Sequence, residues 1–186
     1  MAISNKTLAT LVGAVLVISV ISLGMTAMNI IGKVSATGAI TGTTSVTVMA
    51  LTQISLPTAA VNFGSMYQGS SNDTSDDNPL PFVVQNDGTV KVNVTVGATD
   101  IFATQPNPSV YYRFSVNSST EGTCYAPDSI TAYTNMPITA SPAMAMSFLN
   151  NTDTCDTAQL EINVTVPVVE SVGAKTSTVT FLASQS

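Results

Sequence analysis

The chain contains no histidine and no tryptophan. Histidine is the commonest general acid–base group and the commonest metal ligand, so its absence removes the usual Ser triad and the usual zinc sets together. Charge is scarce as well: 5 Lys+Arg and 11 Asp+Glu amount to 9% of the residues, against roughly 25% in ordinary soluble domains. The formal net charge of −6 would repel phosphates, which argues against nucleic acid as a partner. No Gly-x-Ser-x-Gly elbow occurs, and "GAKTST" (173–178) lacks the upstream glycine and adjacent Gly-Lys of a phosphate loop. Asp153 and Asp156 form a carboxylate pair that reads equally well as a solvated turn. The sequence offers no catalytic residue, no cofactor site and no metal set, and the expectation is a protein that is not an enzyme.

What stands in place of charge is Ser, Thr, Asn and Gln, spread over most of the chain. A surface kept wet without charges relies on hydroxyls, amides or attached sugar. The exception is the run from Thr7 to Gly32, 26 residues with no charge, between Lys6 and Lys33. It is long enough for a hydrocarbon core that needs about 20 residues. Its early half, Leu8 to Ile21, equally resembles a signal-peptide apolar region, with small-x-small sites at Ser22-Leu23-Gly24 and Val34-Ser35-Ala36. Both readings of 1–33, transmembrane anchor or signal peptide, export everything downstream. The class III signal of type IV pilins and archaellins is a third reading, although the Glu usual early in that helix is absent here. Residues 34–44, "VSATGAITGTT", suit a flexible linker.

From residue 45 to 186 the pattern changes to period-two segments separated by turn residues, the signature of an all-β fold. The expectation is a single antiparallel β-sandwich, Ig-like or jelly-roll-like, preceded by one apolar helix. Strands are expected near 45–56, 59–64, 80–86, 89–98, 110–116, 143–149, 158–168 and 177–184. Asn86-Asp87-Gly88 between two apolar runs predicts a tight hairpin with positive φ. In 90–96, Val90, Val92, Val94 and Val96 share one face, opposite Lys91, Asn93 and Thr95. In 159–166, Leu160, Ile162, Val164 and Val166 share a face, opposite Gln159, Glu161, Asn163 and Thr165.

Asn93 and Asn163 each head an Asn-x-Thr triplet, the acceptor for N-linked glycan, and this alternation predicts that both face solvent. Asn72, Asn117 and Asn150 head three further triplets, in loops or at strand ends. Cys124 and Cys155, the two cysteines, lie in the exported part, and a disulfide between them would staple a long excursion back onto the sandwich. "SSNDTSDDNP" (70–79) gathers Asn72, Asp73, Asp76, Asp77 and Asn78, oxygen ligands of the kind Ca²⁺ takes. Their spacing does not match an EF-hand, and a solvated acidic turn explains them as well.

"VNFGSMYQG" (61–69), "PFVVQNDGTVKVNVTVGATD" (81–100) and "VPVVESVGAKTSTVTFLAS" (166–184) together resemble exported archaeal β-sandwich surface proteins of uncharacterised type. More distantly the chain is similar to sandwich subunits of surface fibres that assemble by donor-strand exchange. The resemblance implies a structural or adhesive role, and the expected partners are further copies or other envelope proteins; the apolar run 7–32, if retained, adds the membrane. The alternative is a membrane-tethered adhesion or ligand-binding module. Residues 43–56, "TTSVTVMALTQISL", are then either the first strand of their own sandwich or a strand given to a neighbour.

Overall fold

A computed structural model describes residues 45–186. The anchor or signal segment 1–33 and the linker 34–44 lie outside the described residues. A compact unit spans Val48–Ser186, and among the described residues there are strands and no helix.

Alternation of apolar and polar residues turns one side of each strand away from water, and two such sides bury each other. Among the described residues nine strands form: β1 (Ile54–Thr58), β2 (Ser71–Asp73), β3 (Phe82–Asn86), β4 (Val92–Ala98), β5 (Tyr112–Ser118), β6 (Thr134–Asn135), β7 (Ala143–Leu149), β8 (Thr157–Thr165) and β9 (Val179–Gln185). The larger sheet has the order β1-β3-β8-β5-β6, with β2 taking the length of β8 beyond β3; the smaller has the order β7-β4-β9. All named pairings are antiparallel. The two sheets share one core, in which Val92, Val94 and Val96 of the smaller sheet and Phe114, Leu160 and Ile162 of the larger are sealed from solvent. Burying each such side chain contributes roughly 1.5–3 kcal/mol. Phe82 on β3 meets Phe181 on β9 edge-to-face, ring centroids 5.7 Å apart, which places β9 over β3.

The strands expected at 80–86, 89–98, 110–116, 143–149, 158–168 and 177–184 form as β3, β4, β5, β7, β8 and β9. Three expectations need correction. The segment 45–56 pairs only from Ile54 onward, and 59–64 forms no strand. The Asn86-Asp87-Gly88 turn is not a hairpin, because β3 and β4 belong to different sheets. It is an arch between them, and none of its three residues has positive φ. Gly88 serves close approach instead: a Cβ there would meet the Leu51 carbonyl oxygen at 2.3 Å.

Asn86 holds this arch together. Its side chain is 1% exposed. Nδ2 donates to the carbonyls of Val90 (2.9 Å) and Leu149 (3.1 Å), and Oδ1 accepts from the Gly88 N–H (3.0 Å). A buried amide with these partners satisfied is cheap to keep and costly to break.

Candidate functional site

β9 ends the smaller sheet, so its outer row of backbone N–H and C=O groups has no strand partner among the described residues. The strand carries none of the usual protections of an edge: "VTFLASQ" has no proline, no lysine and no charge. Its inward side chains Val179, Phe181 and Ala183 are only partly buried, while Val92, Val94 and Val96 on the neighbouring β4 are fully buried. β1 is the corresponding edge of the larger sheet, and its Ile54 and Leu56 are likewise only partly covered. Since β9 lies over β3 and β1 is the strand beyond β3, both incompletely covered edges fall on the same flank. In sequence just before β1 runs a segment with no strand pairing. Val46 (79% exposed), Val48 (84%) and Met49 present apolar surface to water. Its first anchored residue is Leu51, whose N–H donates to Thr89 Oγ1 and whose carbonyl accepts from the Thr89 N–H.

Cys124 and Cys155 are joined in a disulfide with Cα atoms 5.2 Å apart. Glu121 pins the same excursion, its Oε2 accepting from the N–H groups of Asp156 (2.9 Å) and Thr157 (3.1 Å). Those bonds, that from Asp156 first, hold the Glu121 carboxyl below its ordinary pKa. Against the bridge lies a shallow hollow of about 220 Å³ lined by Lys91, Tyr125, Phe148, Asn150 and both cysteines.

The five acceptor asparagines have different surroundings. Asn117 is exposed, and Asn72, Asn93 and Asn150 are partly exposed. Asn163 corrects the expectation of solvent exposure: it lies on the outer face, opposite Ile162 and Val164, yet is only 6% exposed. Arg113 Nη2 donates to its Oδ1 at 2.9 Å, and the guanidinium carbon lies 5.7 Å from the ring centroid of Tyr133. Glu161, two residues earlier, is 3% exposed. The 73–77 turn folds over it: the Thr74 hydroxyl donates to Glu161 Oε2, and the Ile162 N–H donates to Thr74 Oγ1 at 2.9 Å. Burial pushes the Glu161 carboxyl above its ordinary pKa, against the bonds from Thr74 and Asn117. A polar layer thus covers the outer face of β8.

In the acidic loop the side chains bond to their own backbone. Asp73 Oδ1 accepts from the Ser75 N–H, Asp76 Oδ1 from the Asn78 N–H, and Asn72 Oδ1 from the Asp73 N–H. Bonding to the Ser75 hydroxyl, ahead of other causes, lowers the Asp73 pKa. Among the described residues no group of three or more His, Cys, Asp or Glu is placed to hold a metal ion. Glu170 ties two loops together. It pairs with Lys175 Nζ at 2.6 Å and accepts from the Thr104 N–H at 3.1 Å. Lys175, then Thr104, hold its carboxyl down to about 2.

Sequence reasoning missed the grouping around Phe148. Asn93 Oδ1 accepts from the Phe148 N–H at 3.0 Å, where the β4–β7 register shifts. Phe148 adopts φ +51° and stands half-exposed over the hollow that Asn150 also lines. No periodicity in the sequence signals this grouping, because Phe148 leaves the extended conformation and Asn150 lies beyond the end of β7.

No protein-family model matches this chain, and no curated protein matches it in sequence.

Proposed function

We propose that this is a non-enzymatic structural protein of the cell surface, a fibre or coat subunit that associates with further copies of itself by strand addition. The observation that carries the reading is the pairing of a donor with an acceptor in one chain. The donor is 45–53, whose Val46 and Val48 alternate with polar neighbours and lie exposed without strand pairing. The acceptor is the uncharged edge of β9, over an incompletely covered core. Strand addition supplies main-chain hydrogen bonds for affinity and alternate side-chain pockets for register. The Cys124–Cys155 bridge supports an oxidising, extracellular location, as does the apolar run 7–32, retained as an anchor or removed as a signal. The resemblance to exported archaeal surface proteins with an immunoglobulin-like or jelly-roll-like sandwich points the same way.

Sedimentation velocity and negative-stain microscopy of the full chain and of a Val46→Asp/Val48→Asp variant test this. Both residues are exposed, so the variant folds with an unchanged Tm. The expected result is assemblies from the parent chain and monomers from the variant. A parent chain that stays monomeric at high concentration would overturn the reading in favour of a tethered adhesion or ligand-binding module.

A further inference from the structure

Phe148 sits where a bulky side chain is uncommon. A φ of +51° is a left-handed conformation that is costly for a non-glycine residue. The ring is 49% exposed, so burial returns only part of that cost, and a glycine or asparagine would fit the backbone better. The conformation is nonetheless enforced, because Asn93 Oδ1 accepts from the Phe148 N–H at 3.0 Å. The effect is to stand the ring over the hollow beside Asn150.

Asn150 is prepared in its turn. Its backbone N–H donates to the Cys124 carbonyl at 2.9 Å, which fixes it against the disulfide. Its Oδ1 accepts from the Asn151 N–H, while its Nδ2 has no partner among the described residues. Thr152, the third residue of the triplet, is exposed. The other acceptors are less well placed. Asn163 is buried, with Oδ1 taken by Arg113. At Asn72 the triplet's Thr74 is buried and engaged with Glu161. Asn117 Nδ2 faces Glu161 Oε1, and Asn93 is committed to the Phe148 backbone.

We propose that Asn150 is an N-glycosylation site with a built platform, on which the first sugar packs against Phe148, with Tyr125 and Lys91 at its sides. The hollow of about 220 Å³ is smaller than the roughly 300–1,000 Å³ of small-molecule pockets, a size that suits one sugar ring. One face of a pyranose is lined by C–H bonds of slight positive charge, which suits the negative face of an aromatic ring. The Lys91 ammonium and Tyr125 hydroxyl would donate to the ring hydroxyls. The sugar comes from an oligosaccharide on a polyprenol phosphate, supplied with its transferase by the export route. Asn150 Nδ2 attacks the anomeric carbon, a C–N bond forms, the C–O bond to phosphate breaks, the lipid phosphate leaves, and an amide proton goes to base. No oxidation is involved. The inference rests on the surface-protein reading above.

The test is full-length protein exported by an N-glycosylating host, with glycopeptide mass spectrometry at all five acceptors and melting temperatures for the parent, Asn150→Gln, Phe148→Ala and the double variant. The expected result is sugar at Asn150 and a Tm that falls by about 2–4 °C when the glycan is lost, but only while Phe148 is present. Equal losses with and without Phe148 would overturn the platform. An empty Asn150 in disulfide-bonded, exported protein would overturn the site while the surface reading stands. Two free thiols with no sugar at any acceptor would bring down the surface reading and this inference together.

Discussion

At the residue scale, the buried polar side chains set the sharpest expectations. Replacing Asn86 by Leu leaves the carbonyls of Val90 and Leu149 without their donor. The expected cost is about 2–4 kcal/mol, read as a lowered urea midpoint with an unchanged slope. Glu161 has a folded pKa above its unfolded value because burial disfavours the charge. The folded state then holds the proton more tightly, so stability is fully present below about pH 4.5 and is lost as pH rises through the raised value. Glu161→Gln keeps one oxygen to accept from Thr74, while its Nε2 replaces the oxygen that Asn117 faces. Its stability relative to the parent should rise between pH 4.5 and neutral pH, in urea midpoints measured across that range. A parent and variant that differ equally at every pH would show that Glu161 is not the group responsible.

At the element scale, the strands differ in how they are protected. β7 has its outer edge covered by the 126–130 segment, which bonds to the backbone of Ala145 and Ser147. β9 has no such cover among the described residues, and edges of this kind template pairing with another chain. A concentration series should therefore show amide hydrogen exchange in β9 slowing as the parent chain associates. In the Val46→Asp/Val48→Asp variant the same amides should exchange at one rate throughout, and a concentration-independent rate in the parent would argue against β9 as the acceptor. β1 keeps Pro57, a residue tolerated at edges because it withdraws a donor, which makes β9 the better of the two acceptors. Of the segment 45–56, expected as the first strand of its own sandwich or as a strand given to a neighbour, Ile54–Leu56 pair with β3 and 45–53 form no strand. Alternation declares that a segment can be a strand, while a pairing partner has to come from elsewhere in space.

At the scale of the whole molecule, one covalent link adds to the stability of the shared core, and several opposed carboxylates decide how it varies with pH. The Cys124–Cys155 bridge spans a sequence separation of 31; losing it through paired alanine substitutions should cost about 3–4 kcal/mol, a Tm drop on the order of 10 °C. Thermal scans with and without reductant check the same figure. Glu170 has a folded pKa depressed to about 2, so its contribution is present above pH 4.5 and is lost as pH falls toward 2. Glu161 and Asp156 are shifted the other way, each first by burial, and their cost grows as pH rises. The stability profile should peak in mildly acidic solution and fall on both sides; a maximum at or above pH 8 would contradict these assignments.

The sequence by itself determined the all-β character, six of the nine strands among the described residues and, in 90–96 and 159–166, which way the side chains alternate, because those depend on residue type and a period of two. It also nominated Cys124 and Cys155 as a pair, since no other cysteine was available. Tertiary structure alone decided that Asn86-Asp87-Gly88 bridges two sheets, that Asn163 is covered and that Phe148 and Asn150 line one hollow with the disulfide. The outer face of β8 shows why. Alternation put Asn93 and Asn163 on outward faces alike, but only the second is roofed by the 73–77 turn and Arg113, groups 50 to 90 positions away in the chain. Periodicity is a property of neighbours along the backbone, and cover is a property of neighbours in space.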